Sequence, residues 1–182
     1  MPKTQIIPCT KDEIAAIIDE ASGNDFYYML FKVASKTGRR LGEYFDVQVK
    51  DLDFERRIMM TKVLKRRQKI FKEAILDDEL IAIIKRYIAK EKLKLDDYLF
   101  RKVTYNGIQK AIKSYAEKAG INHKVCFHNF RHYLITELIR QGWAYDKVAK
   151  ITGHGTVGVI AIYDHTVASD IAVDAREAMG KL

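Results

Sequence analysis

Apolar positions along the chain recur mostly at helical spacing. Near the N-terminus, Thr10 and Glu13 form a capping-box pattern ahead of three isoleucines at i, i+3 and i+4. The second predicted helix is largely apolar and ends near Gly38. Helices are predicted over residues 9–22, 24–38, 39–47, 77–93, 105–120, 128–142, 145–153 and 169–182.

The stretch 56–76 has a different pattern. It mixes β-forming residues around a polar centre at residues 65–68, which predicts two antiparallel strands joined by a basic turn, with Lys65 in the turn itself. Both prolines lie in the first ten residues, so the chain contains no obvious interdomain linker. The predicted fold class is α+β, mainly α-helical, in a single domain with a small antiparallel sheet.

Composition narrows the class of partner. The chain has 182 residues, of which 48% are apolar, enough to bury the core of one domain. Its formal charge is +8, and its pI is about 9.3. An acidic polymer is therefore the favoured partner, and nucleic acid is the commonest such polymer.

The two cysteines, Cys9 and Cys126, are far apart and form no C-x-x-C pair, so neither a disulfide framework nor a thiol-based zinc site is indicated. We expect an intracellular, reducing location. No apolar run approaches the roughly 20 residues that cross a bilayer. The N-terminus also lacks the charged and apolar regions of a signal peptide.

The segment "FHNFRHYLITEL" places His128, Arg131 and His132 on one face of a predicted helix. Such a face either lies on the surface without a function or forms a site for an anion. A metal pair at His128 and His132 would resemble H-E-x-x-H, but Asn129 cannot serve as its general base. We therefore predict no metal and no cofactor.

Two further segments carry suitable chemistry. "TGRRLGE" puts Arg40 just beyond a predicted helix end, and "TGHGTVGVIAIYDH" places His154 nine residues before Tyr163. With His128 and Arg131, these groups suit phosphodiester chemistry, because guanidinium groups can pair with the non-bridging oxygens of a phosphate.

These motifs resemble those of the tyrosine recombinases, the phage-integrase family, over essentially the whole chain. The family's catalytic domain carries T-G-x-R-x-x-E, a lysine in a β-hairpin, H-x-x-R, a G-H pair and a tyrosine nine residues later. The matching residues here are Thr37, Gly38, Arg40, Glu43, Lys62, His128, Arg131, Gly153, His154 and Tyr163.

The resemblance implies a site-specific recombinase or integrase that breaks and rejoins DNA without metal or ATP. Tyr163 would attack the scissile phosphate and form a 3′-phosphotyrosyl link, with His128 accepting the phenolic proton. Unaided ionisation of a phenol, whose ordinary pKa is about 10, would be costly at neutral pH.

The remaining roles follow from the same resemblance. Arg40 and Arg131 would clamp the phosphate, His154 would hydrogen-bond it, and Lys62 would protonate the departing 5′-oxygen. Residues 61–72 hold six basic side chains and no acid, so the hairpin is either simply solvated or contacts DNA. The expected DNA contacts are Lys65, Arg66, Arg67 and Lys69.

Some positions depart from the family pattern. Arg39 stands where an apolar residue is usual, and Gly42 replaces a usual serine. Residues 1–182 would form the catalytic domain alone, without the helical core-binding domain that usually precedes it, as an excised fragment or a minimal protein.

The expected partner is double-stranded DNA with specific target sites, bound by a homo-oligomer, a tetramer. The alternatives are a type IB topoisomerase, which uses the same constellation alone, and a non-catalytic DNA-binding module.

Overall fold

A computed structural model describes residues 7–65, 68–154 and 158–161 of the chain. These residues form eight α-helices and one three-stranded antiparallel sheet, which confirms the predicted α+β class. In chain order the elements are α1 (Lys11–Glu20), α2 (Asp25–Thr37), α3 (Leu41–Phe45), β1 (Leu52–Asp53), β2 (Ile58–Lys65), β3 (Gln68–Ile75), α4 (Asp78–Glu91), α5 (Tyr105–Lys118), α6 (His128–Arg140), α7 (Tyr145–Thr152) and α8 (Gly158–Ala161).

The helix ends follow the sequence signals closely. Thr10 and Glu13 form the predicted capping box at the start of α1. Gly38 ends α2 in the left-handed conformation. Helix α3 is shorter than predicted, because Arg40 is extended and acts as its N-cap, which leaves Arg39 and Arg40 outside any helix. The helix predicted over residues 169–182 lies outside the described residues.

The predicted hairpin is confirmed, with one correction. Strands β2 and β3 pair in register from Ile58 with Ile75 to Lys65 with Gln68. Lys65 is therefore the last residue of β2, and placing it in the turn was wrong, because the ladder extends as far as the pair Lys65 with Gln68. The two-residue strand β1, which pairs with β2, is too short to leave a periodic signal in the sequence.

Aromatic and aliphatic side chains of α2 lie in the centre of the core. Phe31 on α2 contacts Phe130 on α6, with ring centroids 5.2 Å apart. Tyr44 on α3 packs edge-on against Phe127, which directly precedes α6, at 5.9 Å. A second, smaller apolar cluster holds α7 and α8 against α6 through residues such as Ile135 and Val148. Every helix in the described part of the chain is too short or too polar to cross a bilayer.

A chain of hydroxyl groups fixes the turn that follows α2. The Thr37 hydroxyl donates to the carbonyl oxygen of Val33 at 2.7 Å, so its oxygen accepts from the Tyr44 hydroxyl, also at 2.7 Å. The Tyr44 oxygen in turn accepts the backbone N–H of Arg39 at 3.1 Å. Burial raises the pKa of Tyr44 to about 12, which keeps this donor protonated. The backbone leading into Arg40 is thereby held in one conformation.

Replacing Gly38 with alanine is expected to destabilise the fold by about 1–3 kcal/mol, because a side chain would be strained at this left-handed backbone. The φ angle of Gly38 is +59°, and an added Cβ would lie 2.8 Å from Cδ2 of Leu134. Urea unfolding of Gly38→Ala against the parent measures the loss. The matched control is Gly23→Ala, where an added Cβ meets nothing within 4 Å. Equal stability of Gly38→Ala and the parent would contradict the prediction.

Candidate active site

Arg40 stands at the start of α3 with its side chain about half exposed (52%). Its guanidinium contacts the buried carboxylate of Glu43 at 3.3 Å, and its backbone N–H donates to the other oxygen of Glu43 at 3.1 Å. Glu43 therefore fixes both the backbone and the side chain of Arg40. The guanidinium stays accessible to a ligand on its exposed side.

Arg131 lies on α6 and is only 1% exposed. Its Nη1 donates to two backbone carbonyl oxygens, that of Gly38 at 2.7 Å and that of Thr152 at 2.5 Å. These bonds join the end of α2, the first half of α6 and the end of α7. This contact brings Arg40, two residues after Gly38, near His154, two residues after Thr152.

Two imidazole rings in edge-on contact extend the site along α6. The rings of His128 and His132 meet edge-on with centroids 4.8 Å apart. Burial, followed by the charges of Arg131 and Arg40, lowers the pKa of His128. Burial and the neighbouring His128 and Arg131 lower that of His132 to about 4. At neutral pH both rings are therefore neutral, and a neutral imidazole can accept a proton.

His154 follows the left-handed Gly153 that ends α7. Its Nδ1 lies 2.8 Å from the hydroxyl oxygen of Thr152, and that hydroxyl donates to the carbonyl of Val148 at 2.7 Å. The Thr152 oxygen is therefore the acceptor, and His154 carries its proton on Nδ1. Burial, and then the charges of Arg131 and Arg40, lower the pKa of His154 to about 3.

The structure does not bring Lys62 into this cluster. Lys62 pairs with Phe71 across the hairpin, and its Nζ lies 3.9 Å from the carboxylate of Asp51. Its neighbour Thr61 is fully buried on the other face of the sheet. Because successive strand residues point to opposite faces, the side chain of Lys62 points away from the face that Thr61 occupies.

Two basic residues without a predicted catalytic role, Lys72 and Arg39, reach the site. Lys72 on β3 pairs with Thr61, and its Nζ donates to the carbonyl of Gly153 at 2.6 Å. Arg39 is 1% exposed, and its guanidinium donates to the carbonyl of Glu73. Among the described residues, Nε and Nη1 of Arg39 have no hydrogen-bond partner.

The other predicted site residues are described less fully. Tyr163, Arg66 and Arg67 lie outside the described residues. Lys65 ends β2, and Lys69 lies in β3.

The cluster as a whole is suited to an anion. Arg131 and Arg40 influence the protonation of both His128 and His154, which places all four groups in one electrostatic environment. Lys72 lies in the same field, since burial and then the charges of Arg39, Arg40 and Arg131 lower its pKa against the opposing charge of Glu43. A phosphate would satisfy such a cationic cluster through charge-assisted hydrogen bonds.

A second group of side chains that could hold a metal ion has a structural role instead. Ligand atoms of Cys9, Glu13 and His123 all lie within 4.8 Å of one another. One oxygen of Glu13 accepts the backbone N–H of Thr10 at 2.8 Å, and the other lies 3.1 Å from Nε2 of His123. Burial, and then the charge of Glu13, raise the pKa of Cys9 to about 12, so its thiol is protonated. We assign this group to the anchoring of α1.

Comparison with known proteins gives a consistent family assignment. The family model described as the phage integrase family matches residues 9–169. The tyrosine recombinase XerA of Saccharolobus solfataricus is 26% identical over 151 residues, which cover 83% of this chain and 50% of that protein. The chain thus spans about half the length of this curated relative.

Solved structures agree with the sequence relatives. The crystal structure of XerA recombinase superposes with a TM-score of 0.79 at 26% identity, covering 97% of this chain and 66% of that one. The Tn1549 transposon integrase in complex with transposon right end DNA gives a TM-score of 0.72 at 17% identity, covering 100% of this chain and 68% of that one. At that identity the second likeness shows the fold alone.

The stability of the fold should fall as the pH falls from about 6.5, the ordinary histidine pKa, toward about 4, the pKa of the partly buried His132. In this pH window His132 binds a proton in the unfolded chain but stays neutral in the folded protein, so acid favours unfolding. His132→Gln should lose less of its unfolding free energy between pH 7 and pH 5 than the parent does. Urea unfolding at both pH values measures this. An unchanged pH dependence in His132→Gln would assign the effect to other groups.

Proposed function

Because this chain belongs to the phage integrase family, we propose that it is the catalytic domain of a tyrosine-type site-specific DNA recombinase. The observation that supports the proposal is the clustering of Arg40, Arg131, His128 and His154, in which both arginines act on the protonation of both histidines. The scissile phosphate of DNA is the anion that these groups suit, since the protein carries a formal charge of +8.

In the first chemical step the phenolic oxygen of Tyr163 attacks the phosphorus, and the bond from phosphorus to the 5′-oxygen breaks. The phenolic proton passes to neutral His128, and the departing 5′-oxygen takes a proton from a general acid. The product is a 3′-phosphotyrosyl link and a free 5′-hydroxyl. A 5′-hydroxyl from a second strand then reverses the step and releases Tyr163.

The two arginines would supply the stabilisation that a divalent metal gives in many nucleases. Negative charge on the non-bridging oxygens grows in the transition state, and guanidinium groups aimed at those oxygens stabilise it. Arg131 is held rigidly by two carbonyls, whereas Arg40 is held on one side only, by Glu43. The arginines would thus take the place of a metal, and the phosphotyrosyl bond conserves the energy of the broken bond, so that this mechanism needs no ATP.

His154 would contact the phosphate through Nε2, because its Nδ1 is engaged by Thr152. Nε2 can donate only when the ring is protonated, and burial, followed by the surrounding cations, lowers the pKa of His154 to about 3. A bound phosphate adds negative charge beside the ring and favours its protonation. His154 would therefore become a donor when the substrate arrives.

The general acid would come from the hairpin. The sequence resemblance favoured Lys62, but its ammonium faces Asp51 at 3.9 Å, on the side of the sheet away from Lys72. For Lys62 to act, its side chain would have to leave Asp51 and cross the sheet edge. Lys65, at the end of β2, is the alternative. A DNA substrate with sulfur at the bridging 5′-position separates the two lysines, because this substrate rescues cleavage only when the general acid has been lost.

The partner that we propose is double-stranded DNA bearing specific sites, bound by several copies of the protein. The Tn1549 integrase, which shares this fold, was solved in complex with DNA. The hairpin supplies a dense basic segment for phosphate contacts, to which Lys65, Arg66, Arg67 and Lys69 contribute. Relaxation of supercoiled DNA without a specific site would instead favour the topoisomerase alternative.

Tyr163→Phe should abolish a covalent protein–DNA adduct while leaving DNA affinity nearly unchanged, because only the nucleophilic oxygen is lost. The assay incubates the protein with a pool of nicked duplexes that carry candidate sites and looks for a shifted band on a denaturing gel. Tyr133→Phe and Tyr145→Phe are matched controls that should retain the adduct. An adduct in Tyr163→Phe would move the nucleophile elsewhere. A parent protein that binds DNA without an adduct would support the non-catalytic alternative.

Arg40→Ala should slow cleavage by roughly 10³- to 10⁵-fold, as the loss of a transition-state arginine does in phosphoryl transfer. The exposed side chain of Arg40 makes it the cleaner test, since Arg131 also supports the fold through buried bonds. Arg56→Ala is the control, because Arg56 also pairs with a glutamate at 3.3 Å but on the exposed surface. Single-turnover cleavage should persist in EDTA. A strict need for Mg²⁺ or Zn²⁺ at the chemical step would contradict the arginine mechanism.

A further inference from the structure

Lys72 connects the hairpin to the segment that carries His154. It lies in β3, yet its ammonium donates to the carbonyl of Gly153, 81 residues later, at 2.6 Å. Gly153 ends α7 with φ at +73° and directly precedes His154. The direction of the peptide between Gly153 and His154 is therefore set in part by a side chain of the sheet.

Arg39 closes the same turn from another side. Its guanidinium donates to the carbonyl of Glu73, the neighbour of Lys72, and its Nη1 lies so close to Gly153 that an added Cβ would overlap it. Arg131 holds the preceding carbonyl, that of Thr152. Arg131 and Lys72 thus bind consecutive carbonyls of the turn 152–154, and the guanidinium of Arg39 lies against the turn.

Of these three side chains, that of Lys72 bonds Gly153 alone within the part of the chain that the structure describes. Arg131 also bonds Gly38, and Arg39 bonds β3. The charge of Lys72 also contributes to lowering the pKa of His154. Lys72 therefore acts on His154 in two ways, through the peptide that it holds and through its charge.

We infer that Lys72 is a positioning residue that sets the orientation of His154 toward the phosphate through the carbonyl of Gly153. The inference rests on the proposed strand cleavage. It assigns Lys72 a role different from that of the general acid: the ammonium is used to hold the turn, and it does not deliver a proton to the leaving 5′-oxygen.

The first test compares Lys72→Met, which keeps the alkyl stem, with Lys72→Arg, which keeps a charged donor. Lys72→Met should slow cleavage on the order of 100-fold, the cost of a small misplacement of a catalytic group. Lys72→Arg should restore most of the rate. Lys90→Met is the control, since Lys90 pairs with Asp25 on the surface. Equal rates for Lys72→Met and the parent would overturn the inference.

The bridging-sulfur substrate separates positioning from proton donation. A thiolate leaves without a proton, so loss of a general acid is rescued on this substrate, whereas loss of His154 alignment is not. Lys72→Met should therefore be slowed by the same factor on both substrates. Selective rescue on the sulfur substrate would overturn the inference and make Lys72 the general acid.

A double-mutant cycle tests whether Lys72 acts through His154. Lys72→Met should cost little further rate in a His154→Ala background, because the group that Lys72 orients is already gone. Fully additive losses would mean that Lys72 acts independently of His154.

A readout without catalysis keeps the inference distinct from the proposed function. The ring resonances of His154 in the DNA-free protein should shift in Lys72→Met, return toward the parent in Lys72→Arg and stay unchanged in Lys90→Met. Unmoved resonances in Lys72→Met would refute the contact itself. If the parent forms no adduct with DNA, the proposed function fails, while the shift of the His154 resonances still decides whether Lys72 positions that ring.

Discussion

The buried guanidinium of Arg131 is the constraint on which the arrangement of the site depends. A charge placed in a protein interior needs hydrogen-bond acceptors, and here two of them are carbonyls from segments 93 residues before it and 21 residues after it. The two segments are the C-terminal ends of α2 and α7. They meet because α2 and α7 both end where Arg131 can reach their last carbonyls, so the fold and the anion site are satisfied by the same bonds.

Glycines in the left-handed conformation allow the chain to turn at those two helix ends. Gly38 and Gly153 both turn the chain sharply after a helix, with φ at +59° and +73°. In each case the next residues leave the helix direction and present a side chain of the proposed site, Arg40 after the first turn and His154 after the second. A residue with a Cβ would be strained at both positions, and at Gly153 it would also overlap Arg39. The two glycines are thus part of the site although they contribute no functional group.

Much of this could be predicted from local sequence. The capping box of α1, the end of α2 at Gly38 and the shared face of His128 and His132 depend on neighbouring residues, and the structure has all three. The role of a hairpin lysine could not be predicted this way, because the face of a strand residue depends on a register that tertiary packing selects. Lys62 and Lys72 are both basic residues in β-like runs. Only the pairing of Thr61 with Lys72 shows that Lys72 shares the face of the buried threonine.

The remaining electrostatic feature is that the histidines are neutral among cations. Burial together with Arg131 and Arg40 disfavours an added proton on His128 and on His154. For His128 this suits the proposed role, since a proton acceptor must start without the proton. His154 needs the opposite state in order to donate from Nε2, and an arriving phosphate supplies the negative charge that permits it. Binding of the phosphate and protonation of His154 are then linked equilibria, so each favours the other by the same free energy. The cationic field thus keeps both imidazoles neutral before DNA binds, and the phosphate would convert His154, whose Nδ1 already donates to Thr152, into a donor through Nε2.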